Sequence, residues 1–212
     1  RYHLGKLGLR IAHLSDIHIS PTMTERHLER LIERVNALEV DILLATGDFV
    51  MPFSEDNHDH LYRSLQRSTA PVFACLGNHD LPVRDRMIED FKRHGIRILV
   101  DECQIISCKG HRVFIGGLDF LWKGAREHTL EILQRWKIED VDYKILMIHD
   151  PRYFQWLPSK FDLVCAGHTH GGQFGLNALG IPISLLRPLG VYDQGFFEND
   201  NFILTASGPT LS

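Results

Sequence analysis

No CxxC pair, no zinc-ribbon spacing and no run of lysine and arginine occurs in these 212 residues. Nor does any stretch reach the about 18 consecutive apolar residues of a membrane span. The cysteines number four, Cys75, Cys103, Cys108 and Cys165. Cys75 and Cys165 lie in apolar runs, where a thiol acts as a small hydrophobe. Cys103 and Cys108 are near enough in sequence to pair, but reduced thiols in a cytosolic setting are the expected state. A net charge of -4 with no basic cluster argues against general nucleic-acid binding. Repeats, low-complexity tracts and Gly/Ser/Pro linkers are missing too, so residues 1–212 read as a single domain. The chain opens at Arg1 rather than Met, which leaves room for an anchor or signal upstream.

What is present is an ordinary globular composition, 44% hydrophobic and 24% charged, with an unusual 13 histidines. Short apolar runs recur: "LRIAHLSD", "DILLATGD", "PVFACLGNHD", "RVFIGGLD", "YKILMIHD", "FDLVCAGHTH" and "NFILTAS". Each looks like a strand buried on both faces. Between the first two, Leu28, Leu31, Ile32, Val35 and Leu38 share a helical face, with Thr22 and Glu25 as a capping box. Further helices are expected near 58–68, 84–94 and 126–136. The alternation predicts an α/β fold with a largely parallel core, and the closer strand spacing from 105 onward predicts a second sheet packed on the first.

Polar residues collect just beyond the strand ends: Asp16 and His18, Asp48, Asn78 and His79, His149, then His168 and His170. Ligands of open α/β sheets bind at that edge. Singly, each of these motifs is weak. Together they place two carboxylates, an amide oxygen and several imidazoles on one rim. Nitrogen and oxygen donors without thiolate suit Mn, Fe or Zn. The donors exceed what one ion needs, whereas two ions sharing one carboxylate fit the number. Such a pair can clamp a phosphate and acidify a water.

The order Asp-x-His, Gly-Asp, Gly-Asn-His-Asp, His, Gly-His-x-His resembles the calcineurin-like metallophosphoesterase superfamily, and the likeness runs from Asp16 to His170. The resemblance implies a two-sheet β-sandwich flanked by helices in αββα layers, with two divalent metal ions, Mn first and Fe or Zn as alternatives. It assigns Asp16, His18 and His170 to one ion, Asn78, His149 and His168 to the other, and Asp48 to both. His79 becomes the histidine facing the phosphate, with Asp80 behind it orienting the ring. Gly171 and Gly172 leave room for the metals. The implied reaction is in-line attack on phosphorus by a hydroxide bridging the ions, with His79 stabilising the transition state or protonating the leaving oxygen.

The extended "GHTHGGQ" and "GVYDQGFF" resemble a bacterial, often membrane-associated branch that includes UDP-2,3-diacylglucosamine pyrophosphatases of lipid A synthesis. That branch implies a lipid-linked phosphate-ester substrate and a protein that is cytoplasmic or peripheral at the inner face of the cytoplasmic membrane. Residues 174–191 are apolar but broken by Pro182, Arg187 and Pro188, so they read as a loop that receives acyl chains or rests on a bilayer. In "DFLWKGAREH", Trp122 beside Lys123 and Arg126 makes a lip for a phosphate or headgroup. Arg126 and Arg187 are the candidate substrate contacts with Trp122. Residues 51–60 read as a flap, with His58 and His60 solvated. Relatives in the branch continue into one more strand, which implies a trimmed carboxyl end. Two alternatives stand beside this reading: a generic phosphodiesterase or phosphomonoesterase, and a non-catalytic scaffold of the same fold. The scaffold is disfavoured because every ligand position is intact.

Overall fold

A computed structural model describes residues 8–20, 23–51, 58–158 and 160–169 in full, and the backbone of 2–3, 195–198 and 202–205. The first half forms β1 (Tyr2–His3), β2 (Arg10–Leu14), α1 (Glu25–Ala37), β3 (Ile42–Thr46), α2 (Asp59–Gln66), β4 (Val72–Cys75), α3 (Arg84–Arg93) and β5 (Arg97–Ile98). The second half adds β6 (Glu102–Cys108), β7 (His111–Gly117), α4 (Ala125–Arg135), β8 (Tyr143–Met147), β9 (Leu163–Ala166), β10 (Gly195–Glu198) and β11 (Phe202–Thr205).

These strands make two sheets, ordered β1-β2-β3-β4-β5 and β10-β11-β9-β8-β7-β6. Within the first, β2 through β5 run parallel and β1 is antiparallel. Within the second, β7, β8, β9 and β11 run parallel, and the edge strands β6 and β10 are antiparallel. The period-2 alternation of each strand sends its residues to opposite faces. Ile11, Ile42, Leu44, Phe73 and Cys75 meet Val113, Ile115, Ile145, Met147, Leu163 and Cys165 between the sheets. The intervening residues Leu43, Ala45 and Ala74 face the other way, against Leu28, Ile32 and Val35 of α1, Leu61 and Leu65 of α2, and Phe91 of α3. On the far face of the second sheet, Phe114, Leu146 and Val164 pack on Ile132 and Leu133 of α4. The expected αββα layering is therefore present.

Local details depart from the sequence reading in three places. Thr24, not Thr22, caps α1, with its N–H donating to His27 Nδ1 at 3.4 Å. Leu38, expected on the apolar face, follows the last turn and is exposed. His58 is buried rather than solvated and precedes the first residue of α2. All four cysteines are free. Cys103 and Cys108 stand five positions apart along β6, about 16 Å in an extended strand, which is beyond disulfide reach. Among the described residues, no helix is long and apolar enough to cross a membrane.

Candidate metal centre

The carboxyl ends of β2, β3 and β4 share one rim because these strands are parallel. The same holds for β7, β8 and β9 in the facing sheet. Past its last ladder residue the β2 chain stays alongside β3: Asp16 N–H donates to the Gly47 carbonyl at 3.0 Å, and His18 N–H to the Asp48 carbonyl at 3.0 Å. The turn needed to aim these side chains inward is left-handed. Asp16, His18, Asp48 and His168 have φ of 53°, 46°, 53° and 71°. Non-glycine residues rarely adopt that region, and strain of this kind collects at functional sites.

Close approach of the backbones explains the glycines before these residues. A Cβ on Gly77 would lie 2.2 Å from Asp48 Oδ1 and 2.5 Å from the Asp48 nitrogen. One on Gly167 would lie 2.7 Å from Asp16 Oδ2 and closer still to Ser15 Oγ.

Asp48 is at the centre. Its Oδ1 accepts the His79 backbone N–H at 2.8 Å. Its Oδ2 is buried without a hydrogen bond, although ring nitrogens of His149, His79 and His18 stand 3.2, 3.7 and 3.8 Å away. The rings are held by their other nitrogens. His149 Nδ1 donates to the Thr46 carbonyl at 2.7 Å, and His18 Nδ1 to the Val50 carbonyl at 3.3 Å. A carbonyl can only accept, so these bonds put the proton on Nδ1 and aim the Nε2 lone pair inward, the usual preparation of a metal-ligating histidine. Asn78 Oδ1 lies 3.1 Å from His149 Nε2 and 2.7 Å from His168 Nδ1. Two groups of donor atoms result, His18–Asp48–His79 and Asp48–His149–His168, each within 4.8 Å of one another. A buried carboxylate oxygen with no donor, ringed by imidazole nitrogens and an amide oxygen and free of thiolate, fits divalent ions of the Mn, Fe or Zn kind.

The charges are strongly coupled. Burial opposes ionisation of Asp48, but His149 and the His79 amide hold its carboxyl below the ordinary range. Burial likewise works against the charged form of His149, yet Asp48 and Asp16 push it up to about 9, which puts a second proton on Nε2 that a divalent ion bound there would displace. Burial and then the neighbouring His149 pull His168 down to about 4.

Most sequence-predicted residues converge here. Asp16 stands at the side of the cluster, accepting from Ser15 Oγ at 2.6 Å and from the His168 N–H at 3.0 Å. His79 is edge-on to His18, with ring centroids 4.9 Å apart. Asp80 requires a correction, because it does not orient the His79 ring. Its Oδ2 accepts from the amides of Asp48 and Gly77 at 2.9 and 2.8 Å, and its Oδ1 from Phe49 and Val50 at 2.8 and 3.3 Å. Four amides occupy the acceptor sites of both oxygens, so Asp80 shapes the loop that carries Asp48. Trp122 and Arg126 are exposed on the loop and helix after β7. His170, Arg187, Gly171 and Gly172 lie outside the described residues.

Sequence reasoning missed Phe120. Its buried ring lies 5.9 Å from that of His149 and 6.0 Å from that of His168, and so walls the cluster on one side. The available signal was "RVFIGGLD", another apolar run ending at the same rim.

Comparison with known proteins agrees with this arrangement. The family model for calcineurin-like phosphoesterases matches residues 9–172. The chain is 36% identical over 196 residues to an uncharacterized metallophosphoesterase of Aquifex aeolicus, covering 90% of this chain and 72% of that protein. It is 37% identical over 217 residues to the UDP-2,3-diacylglucosamine pyrophosphatase LpxG of Chlamydia muridarum, covering 80% and 65%. The phosphodiesterase YaeI of Escherichia coli is 27% identical, covering 82% and 65%. The chain thus spans about two thirds of the length of these last two relatives, and 51% of an uncharacterized metallophosphoesterase of Campylobacter jejuni. Among solved structures, a dimetal phosphatase from Danio rerio superposes with a TM-score of 0.53 at 10% identity, covering 94% of this chain and 87% of that one. This last match speaks for the fold alone. With the motif order, the sandwich and the family match over most of its length in agreement, the chain belongs to the calcineurin-like phosphoesterase family.

Proposed function

We propose that this chain hydrolyses a phosphodiester or pyrophosphate bond, and that its preferred substrate is UDP-2,3-diacylglucosamine. The observation that carries the reaction class is Asp48 Oδ2, buried among three histidine nitrogens at 3.2 to 3.8 Å. Asp16, His18, His170 and Asp48 would hold one divalent ion, and Asp48, Asn78, His149 and His168 the other, Mn being the first choice. Such ions, when bound, supply positive charge for the phosphate oxygens and lower the pKa of water.

The chain's own groups do the rest. The Thr46 and Val50 carbonyls keep the His149 and His18 rings in one tautomer and orientation. Phe120 excludes water from the His149–His168 side. His79 is the ring for proton transfer. Its side chain is 28% exposed, against 14% for His18 and 0% for His149, so it alone of the three combines reach to the centre with access to a leaving oxygen. Asp80 keeps the Asp48 loop in register through four amide bonds.

The lipid substrate is supported by the likeness to LpxG and by the apolar residues 174–191, which would take the acyl chains and rest on the inner face of the membrane with Arg187. Arg126 would contact the headgroup. The likeness to YaeI favours a second reading, a phosphodiesterase of broader substrate choice. The test uses Mn-loaded protein in detergent with UDP-2,3-diacylglucosamine and, beside it, a generic aryl phosphodiester. UMP release well above the generic rate supports the lipid substrate. Turnover of the generic diester alone discards it and leaves the second reading. Turnover of neither removes the enzymatic proposal.

A further inference from the structure

Trp122 is 66% exposed, the most exposed large apolar side chain among the described residues. It does not ride on a loose segment. Leu121 N–H donates to Tyr153 Oη at 2.9 Å, and that hydroxyl donates to the Leu121 carbonyl at 3.3 Å. Asp119 N–H donates to Asp101 Oδ1 at 3.0 Å, and Arg84 donates to Asp119 Oδ2 at 2.9 Å. The loop is therefore tied to three other parts of the fold, and it still presents an indole to water. The indole meets Phe120 edge-to-face with centroids 4.8 Å apart, and Phe120 abuts His149 and His168. A row of rings leads outward from the metal-site histidines and ends in an exposed aromatic face.

We infer that Trp122 is a stacking shelf for a planar ring carried by the substrate phosphate, the base of a nucleotide being the class that fits. This rests on the phosphoesterase reading of the neighbouring site. A single indole flanked by the exposed Lys123 and Gly124 is too small and too polar a surface to bury an acyl chain. It matches one base in area, and stacking on an aromatic side chain tolerates any base because every base has a π-face. Lys123 adds positive charge at the same lip, suited to the phosphate beyond.

Uridine 5′-monophosphate and ribose 5-phosphate share sugar and phosphate and differ only in the base, so they isolate the shelf. With the Mn-loaded chain, calorimetry should give a Kd roughly tenfold lower for the nucleotide. Trp122→Ala should bring the ratio of the two Kd values near one, and Trp122→Tyr should keep most of it. Equal affinities in the unmodified protein, or a ratio that Trp122→Ala does not move, overturn the shelf. If neither monophosphate binds the folded, Mn-loaded protein, the phosphoesterase reading fails and the shelf falls with it. If Trp122→Ala leaves the ratio intact and instead abolishes sedimentation with anionic lipid vesicles, Trp122 is a membrane contact and the shelf is wrong.

Discussion

Asp80 holds Asp48 by the backbone: its Oδ2 accepts the Asp48 amide at 2.9 Å while its Oδ1 takes the next two amides along the chain. Replacing that carboxylate by an isosteric amide turns an acceptor into a donor facing backbone N–H groups. Asp80→Asn should lower stability by about 3 kcal/mol, since at least one buried donor is orphaned and another is opposed. It should lose metal as well, because the Asp48 loop shifts. Urea unfolding and elemental analysis check both. A fold of unchanged stability with slow turnover would instead support the ring-orienting role.

His79→Ala should behave in the opposite way. The ring is partly exposed and its Nε2 stands 3.7 Å from Asp48 Oδ2, whereas the hydrogen bond to Asp48 Oδ1 comes from the backbone N–H, which the variant keeps. The variant should fold, keep its metals and lose roughly 100-fold or more in kcat. Retention of metal with the original rate would falsify the proton-transfer role. Loss of an ion would make His79 a ligand with His18 and Asp48, as their mutual distances allow.

Asp48→Ala removes the carboxylate common to both donor groups. Metal content by elemental analysis should drop in both sites together. Full occupancy would contradict the shared position of Asp48.

Gly77→Ala tests the close approach of strand ends. The added methyl would sit 2.2 Å from Asp48 Oδ1 and 2.8 Å from His149 Cε1, both rigidly held. A clash against backbone and buried rings cannot relax cheaply, so a loss of about 3 kcal/mol and of metal binding is expected. Calorimetric melting of the purified variant measures it, and a melting temperature equal to that of the unmodified protein would mean that the loops yield.

His13 supplies a pH dependence separate from the ligands. Its Nε2 lies 2.7 Å from Thr46 Oγ1, and its Nδ1 is sealed from solvent without a partner. Burial pulls its pKa down to about 3. Below about 6.5, the ordinary histidine value, the unfolded chain takes a proton that the folded one refuses until about 3. Stability from His13 is therefore fully present above that window and falls as pH drops through it. His13→Gln removes this titration, so its stability should decline less steeply between about pH 6.5 and 4. Parallel curves in urea titrations at several pH values would show that His13 does not titrate as described.

The sequence made much of the fold legible because its central strands are buried on both faces. The runs ending at Asp16, Asp48, Asp80, Asp119, Asp150 and His170 all contain strands, and "NFILTAS" contains β11. Edge strands escaped for the opposite reason: β6 exposes Glu102, Cys103, Gln104 and Ile105 and lacks an apolar run. The side chains that cluster at the rim were legible as polar residues at strand ends. The task of Asp80 was not, since four backbone amides leave no trace in residue identity. Phe120 was passed over because an apolar residue after an apolar strand reads as core, and it is indeed buried.

Asp16, His18, Asp48 and Asn78 come from the first sheet, His149 and His168 from the second. Whatever occupies the cluster staples the two halves of the sandwich at one rim, while among the described residues the opposite rim is joined by the partly exposed Lys109–Asp41 ion pair at 2.8 Å beside the apolar contact. Occupancy and cohesion are then one thermodynamic quantity, because a ligand that binds only the assembled pair of sheets adds its binding free energy to their association. A chelator would act on this protein as a selective denaturant, opening it from the catalytic end.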